Sequence, residues 1–294
     1  TETASRIDTI LRSLGICATD VSCKYDRRRR LSIEITAKRQ KECVPKLELL
    51  NRLSALCSVK FDTPCITNST DITLISLTEK TNYAIDSGVC QINCKGENLS
   101  GDSYSSFNDG KGNYVMILSD GMGSGPHAAV DSTFAANLME KLIKAGYGFE
   151  CALKLVNSAM IFKSSDESTA TIDISTIDLY SGQADFYKAG AAETYVIKGK
   201  KVGVATCSAY PAGILSEVSF DKTSTYLQKG NVVVMFSDGV SEENEEWIED
   251  EILKNRKSSA QTIADKIASK AALLRKDGHS DDITVMVAVL SEEY

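Results

Sequence analysis

The chain has 294 residues, 43% of them hydrophobic and only four prolines, which is the make-up of an ordinary folded protein and not of a disordered one. Its net charge of −7 disfavours nucleic acid as the main partner, because a phosphate backbone calls for a basic surface. No stretch approaches the roughly 18 uninterrupted apolar residues of a membrane span, and the length suits two domains or one large one.

Residues 1–78 have a character of their own. Ile7, Ile10, Leu11 and Leu14 recur at helical spacing, and Gly15 is a natural stop. Positions 31–36 alternate like a half-buried strand. Val44, Leu47, Leu50, Leu53 and Leu56, three apart, predict an amphipathic helix over 42–57 with Pro45 in its first turn. Positions 72–77 read as another strand. The whole predicts a small α+β module of four strands and two helices. The run Arg27 to Arg30 lies between two of those strands. It reads as a solvated hairpin tip in preference to an anion site, since four like charges repel one another in any packed setting.

From 79 onward the pattern changes. Positions 114–118 form an apolar strand. A helix follows Gly123-Ser124-Gly125-Pro126, with Val130, Phe134, Leu138 and Leu142 on one stripe and Gly146 at its end, and a second covers 149–163. Strands are predicted at 171–179, 183–189, 194–198, 202–207, and 225–227 leading into 232–236, with Gly190, Gly199 and Gly230 at their turns. Ile263, Ile267, Ala271 and Leu274 define a late helix, and 283–290 a final strand. Short turns between successive strands predict antiparallel pairing. The expected fold class is therefore α+β: two antiparallel sheets with helices outside them.

Nine cysteines are scattered without a C-x-x-C pair, and only His127 and His279 could join them. A zinc site is disfavoured on that ground. Reduced cysteines, several of them in the core of a cytosolic protein, are the expectation.

Ser-Asp-Gly occurs twice, each time after an apolar strand: Ser119-Asp120-Gly121 and Ser237-Asp238-Gly239. Gly101-Asp102 and the segment from His279 through Asp281 and Asp282 to Val285 supply two further acidic positions. Carboxylates at the ends of rigid strands are suited to hard divalent cations such as Mg²⁺ and Mn²⁺, which take oxygen ligands. With two ions roughly 3.5–4 Å apart, one carboxylate must bridge them. A lone aspartate at a strand end is more often a turn or cap residue, and Asp109, Asp173, Asp178, Asp185 and Asp221 are read so. The set of four, each with its flanking pattern, points to a dinuclear site.

These motifs resemble those of the metal-dependent protein phosphatases of the PP2C class, the PPM superfamily. Leu99-Ser100-Gly101-Asp102-Ser103 is similar to the first acidic motif, and the segment from Leu118 to Gly125 to the motif of the bridging aspartate. Thr169 to Asp173 resembles the mid-domain Ala-Thr strand, Met235 to Val240 the third acidic motif, and Ser280 to Val285 the terminal one. All stand in family order over 79–294. Within the superfamily, Leu99 to Tyr104, the turn from Ser119 to Gly125, and Val156-Asn157-Ser158 before Asp166-Glu167 most resemble the stage II sporulation protein E family.

The resemblance implies a PP2C-like αββα sandwich over 79–294, preceded by a regulatory or oligomerisation module over 1–78. It implies a metal-dependent protein-serine/threonine phosphatase. Its substrate would be a phosphorylated anti-sigma-factor antagonist, whose dephosphorylation activates a sporulation sigma factor; the alternatives are another regulatory phosphoprotein of the stress-response type, or a non-catalytic pseudo-phosphatase that only binds a partner. It implies two Mn²⁺ or Mg²⁺ ions, with Asp120 bridging both, Asp238 and Asp281 on one, and the Gly121 carbonyl and Asp102 on the other. Asp120 and Asp102 are thus the catalytic candidates. Homo-oligomerisation, contacts with cell-division proteins, and membrane spans preceding Thr1 of a cytoplasmic region are implied as well. Asp282 stands where the family often has Asn, so its role stays open. One departure matters: eukaryotic members hold phosphate with an Arg just before the first acidic motif, and residues 79–101 contain none, only Lys80 and Lys95.

Overall fold

Which face of each strand is buried follows from the alternation of side chains along it. The computed structural model describes residues 2–26, 28–39, 43–94, 99–122, 126–163, 168–216, 219–240, 246–274 and 281–292. The chain divides into two units, Thr1–Thr81 and Asn82–Tyr294.

In the first unit, α1 (Glu2–Ser13), β1 (Ala18–Tyr25), β2 (Leu31–Lys38), α2 (Lys46–Cys57), β3 (Cys65–Asn68) and β4 (Ile72–Thr78) follow one another. The strands form an antiparallel sheet in the order β1-β2-β4-β3. Leu31, Ile33, Ile35 and Ala37 of β2, with Ile75 and Leu77 of β4, pack against Ile7 and Leu11 of α1 and Leu49 and Leu53 of α2. Two expectations for α2 are corrected. Pro45 precedes the helix as its N-cap, and Leu47 is 72% exposed while Leu49 and Leu53 are fully buried. A helix of 3.6 residues per turn carries a strict three-residue series around its surface, whereas an i, i+4 pair stays on one face. Arg27 lies outside the described residues. Its neighbours form a hairpin tip in which Asp26 Oδ1 accepts from the Arg28 and Arg30 amides, both at 2.8 Å.

The second unit contains β5 (Tyr83–Ile92), β6 (Asp102–Asn108), β7 (Asn113–Asp120), α3 (Pro126–Lys144), α4 (Phe149–Lys163), β8 (Ile172–Asp178), β9 (Gln183–Ala189) and β10 (Thr194–Lys198). It continues with β11 (Lys201–Ala205), β12 (Asp221–Tyr226), β13 (Val232–Phe236), a 3-10 turn at Asp238–Val240, α5 (Glu246–Asn255), α6 (Ala260–Leu274) and β14 (Ile283–Glu292). Two five-stranded antiparallel sheets result, ordered β11-β10-β13-β14-β5 and β12-β9-β8-β7-β6. Met116, Leu118, Phe186, Val233, Met235, Met286 and Ala288 fill the space between them. The outer face of the first sheet is covered by α5 and α6 through Ile248, Ile263 and Ile267. The outer face of the second is covered by α3 and α4 through Ala135, Met139, Leu153 and Val156. This is the helix–sheet–sheet–helix sandwich expected from the sequence.

Within it Phe134, Leu138 and Leu142 of α3 pack half-buried against the core as expected, but the fully buried face is made by other residues. These are Ala128, Ser132, Ala135, Ala136, Met139 and Ile143, and Val130 is 56% exposed. Small residues let the helix lie close to the sheet. At Gly121 the approach is closest, since a Cβ there would stand 2.0 Å from the Ala128 carbonyl oxygen. The nine cysteines are all free. None is fully buried, contrary to expectation; Cys23 and Cys57 sit half-buried at the edge of the first unit's core and Cys90 at the edge of a core in the second. No helix among the described residues is long and apolar enough to cross a membrane.

Two outcomes are expected. Each unit encloses its own apolar core, so fragments 1–81 and 82–294 should each give a cooperative thermal transition by circular dichroism. Gly121→Ala should destabilise the full chain by about 1–3 kcal/mol in urea titration through overpacking. Gly148→Ala, with open space around it, should leave the midpoint unchanged.

Candidate active site

Both Ser-Asp-Gly segments and both remaining acidic motifs meet at one end of the sandwich. Asp102 opens β6, Asp120 closes β7, and the two are register partners across the ladder. On the facing sheet Asp238 lies just past the end of β13 and Asp281 just before the start of β14. Asp120 is hydrogen-bonded to Asp238 and feels the charges of Asp102, Asp238 and Asp281. Burial first, and these like charges second, push its carboxyl up to about 9. Burial likewise pushes Asp102 up to about 7, against the hydrogen bonds it accepts from Thr284 and Ser237. Asp102, Asp120, Asp238 and Asp281 are therefore brought into one electrostatic neighbourhood.

The motif serines are straps. Ser119 Oγ donates to the Thr171 carbonyl at 2.7 Å, and the Asp120 amide donates to Thr171 Oγ1 at 2.9 Å. Ser237 Oγ accepts from the Thr284 amide at 2.9 Å and donates to the Asp282 carbonyl at 3.2 Å. Thr284 Oγ1 reaches across from the other sheet to Asp102 Oδ2 at 2.7 Å. Gln91 Nε2 donates to Thr284 Oγ1 at 3.0 Å and to the Asp102 carbonyl at 3.2 Å.

Asp282 has a different task from Asp281. Its Oδ1 accepts from the Cys94 amide at 2.8 Å and its Oδ2 from the Gly101 amide at 2.5 Å. Both oxygens thus hold the backbone that leads into Asp102. Gly121 continues from Asp120 and pairs with Ala170 in an isolated bridge, its amide donating to the Gly101 carbonyl at 3.2 Å. His279, Lys95, Gly123 to Gly125, Asp166 and Glu167 lie outside the described residues. Lys80 belongs to the first unit, its amide donating to the Lys60 carbonyl at 2.7 Å. Among the described residues no three acidic, histidine or cysteine side chains are drawn together closely enough to hold an ion by themselves.

Of the aspartates read as turn residues, Asp109 accepts from the amides of Lys111 and Asn113. Asp178 accepts from the amides of Tyr180 and Ser181, and Asp221 from those of Ser208 and Ala209. Asp173 does not fit that description. It is buried between the sheets in a 2.6 Å ion pair with Lys188. Burial raises its carboxyl above the ordinary range, against the pull of Lys188 and Thr194. The sequence carried no signal for this pair, because the two residues become neighbours only through the β8–β9 register.

A family profile described as stage II sporulation protein E (SpoIIE) matches residues 110–290. The chain is 32% identical over 214 residues to stage II sporulation protein E of Priestia megaterium, covering 71% of this chain and 37% of that protein. It is 31% identical over 211 residues to the Bacillus subtilis (strain 168) protein of the same name, covering 70% of this chain and 26% of that one. The chain thus spans well under half the length of these relatives. A solved structure of the PP2C phosphatase domain and a fragment of the regulatory domain of SpoIIE from Bacillus subtilis superposes with a TM-score of 0.74 at 25% identity, covering 100% of this chain and 89% of that one. With the acidic motifs in order on a PP2C-type sandwich, the chain belongs to the stage II sporulation protein E family.

Proposed function

We propose that this chain removes phosphate from phosphoserine on a small regulatory protein, an anti-sigma-factor antagonist. It does so with two Mn²⁺ or Mg²⁺ ions at the acidic end of the sandwich, and residues 1–78 form a regulatory or oligomerisation module. The observation that carries this reading is the convergence of Asp102, Asp120, Asp238 and Asp281 from two facing sheets. The donor set suits such ions: every candidate ligand is an oxygen, and the like charges that burial makes costly are what a divalent cation offsets. In this reading Asp102, Asp120, Asp238, Asp281 and the Gly121 carbonyl would hold the ions.

When bound, the ions supply an activated water and neutralise charge on the phosphoryl group. The chain's own residues prepare the place. Thr284 and Ser237 orient Asp102. Thr171 holds the Asp120 amide, and Asp282 fixes the backbone before Asp102. Sigma-factor activation as the outcome, self-association, and contact with cell-division proteins rest on the family likeness.

The decisive measurement is phosphate release from a phosphorylated anti-sigma-factor antagonist, with and without Mn²⁺. Asp120→Asn replaces a shared anionic ligand by a neutral amide. Activity should fall by at least about a thousandfold, some 4 kcal/mol in the barrier, with the fold retained. Wild-type turnover by this variant at saturating Mn²⁺ would sink the dinuclear assignment.

Asp281 and Asp282 should separate cleanly. Asp282→Ala strands two backbone amides, so it should lower unfolding free energy in urea by about 1–3 kcal/mol. Asp281→Asn should keep wild-type stability while losing Mn²⁺-dependent turnover. The reverse pattern would exchange their roles.

A further inference from the structure

Asp173 and Lys188 are register partners across β8 and β9. They share the inter-sheet face of Leu118, which Asp173 opposes directly and which lies two positions before Asp120 on β7. The Lys188 ammonium stands 2.6 Å from Asp173 Oδ2, with the two side chains 1% and 2% exposed. Lys188 also donates to the Ala192 carbonyl at 2.5 Å. Thr194 Oγ1, on the facing sheet, donates to the same Asp173 Oδ2 at 3.0 Å. The contacts from Lys188 and Thr194 to Asp173 thus fall on one carboxylate oxygen. The other, Oδ1, is buried and meets no hydrogen-bond donor among the described residues.

A buried ion pair seldom recovers its desolvation by attraction alone, and an unpartnered carboxylate oxygen adds to the cost. Stability therefore does not account for this arrangement. Its position does. Asp173 lines a small cavity, about 30 Å³, whose wall also includes Asp120, Asp238, Thr171 and Ser237. That is room for a water with several polar partners.

We infer, on the strength of the cation site proposed above, that Asp173 is a positioning residue for it. Oδ1 accepts a hydrogen bond from a water in this cavity, and that water links Asp173 to the Asp120–Asp238 pair and the cation they hold. Lys188 and Thr194 fix the carboxylate's orientation from the other oxygen. Because Lys188 balances the charge, Asp173 adds an acceptor to the site without adding net negative charge. Partners of this kind, one step removed from the ligands, commonly change metal affinity by about 10–100-fold.

The opposing view is that Asp173 only neutralises Lys188, which braces the Ala192 carbonyl. Calorimetric titration of the full chain with Mn²⁺ distinguishes the two. The paired variant Asp173→Ala/Lys188→Met removes both charges, so no buried ion is left alone. Its Mn²⁺ dissociation constant should be about 10–100-fold weaker than wild type while cooperative unfolding is retained. Equal dissociation constants overturn the role of Asp173. A wild type that takes up no Mn²⁺ overturns the cation site itself, and with it this role. Should the paired variant fail to fold, a crystal structure of the wild type with Mn²⁺ decides. A water within about 3.2 Å of Oδ1 that also contacts the ion supports the assignment. A dry cavity, or Oδ1 paired with a protein donor, refutes it.

Discussion

Like charges gathered at the end of a small β-sandwich push the two sheets apart unless something ties them together. Here the ties are short hydroxyl bonds that cross between the sheets. Thr284 reaches Asp102 from β14 to β6, and Thr194 reaches Asp173 from β10 to β8. Each ends on a carboxylate, Asp102 of the repelling set and Asp173 paired with Lys188, so the bond that closes the sandwich also orients a carboxylate. The sheets are also held by apolar contact between Met116, Leu118, Met235 and Met286, which is indifferent to direction, and farther along β10 by Lys198 donating to Thr225 Oγ1 of β12. The polar ties fix the direction of the groups they join, and at the acidic end that is what chemistry needs.

The same economy governs the backbone. Asp282 spends both oxygens on amides of the segment before Asp102, and Gly101 in turn accepts from the Gly121 amide. A line of hydrogen bonds therefore runs from the start of β14, through Gly101, to the end of β7. Closeness of α3 to Gly121 belongs to the same arrangement: an alanine-rich helix face and a residue without a side chain let the helix start beside the acidic end. Packing sets the place of the backbone there, and hydrogen bonds set the direction of its groups.

How much of this could be read from the residues varied with the kind of signal. Apolar runs such as 232–236 and the helix at 149–163 were legible because burial on both faces, or on a steady stripe, leaves a dense pattern. β5 and β6 were not: β6 has a single buried position, Asp102, and continues through serines to an exposed asparagine, and β5 is half-buried nearly throughout. In α2 and α3 the expected stripes were right in part: Leu53 is buried and Phe134, Leu138 and Leu142 pack half-buried, but Leu47 and Val130 face out while Leu49 and a row of small residues make the closest contact. At the site, strand-end aspartates before glycine were legible. Gln91, Thr194 and Lys188 were not: Gln91 gains its partner from a strand distant in sequence, and Thr194 and Lys188 meet Asp173 only through strand register and the facing of the two sheets.

Acidic residues next to one another in the chain thus divide the work by what surrounds them, not by what they are. Asp281 and Asp282 are adjacent, yet Asp282 has both oxygens committed to amides while Asp281 contributes charge to the Asp120 cluster. Asp120 and Asp173 face the same cavity, yet Asp173 carries its own counter-charge in Lys188 and Asp120 is surrounded by other carboxylates. A carboxylate already satisfied by amides or by an ammonium has little left to offer a cation directly, and serves as brace or acceptor. One pressed by its own kind gains most from a cation. By that criterion Asp102 and Asp120, both raised by burial and like charge, are where positive charge is most needed, and they are the two carboxylates that face each other across the β6–β7 ladder.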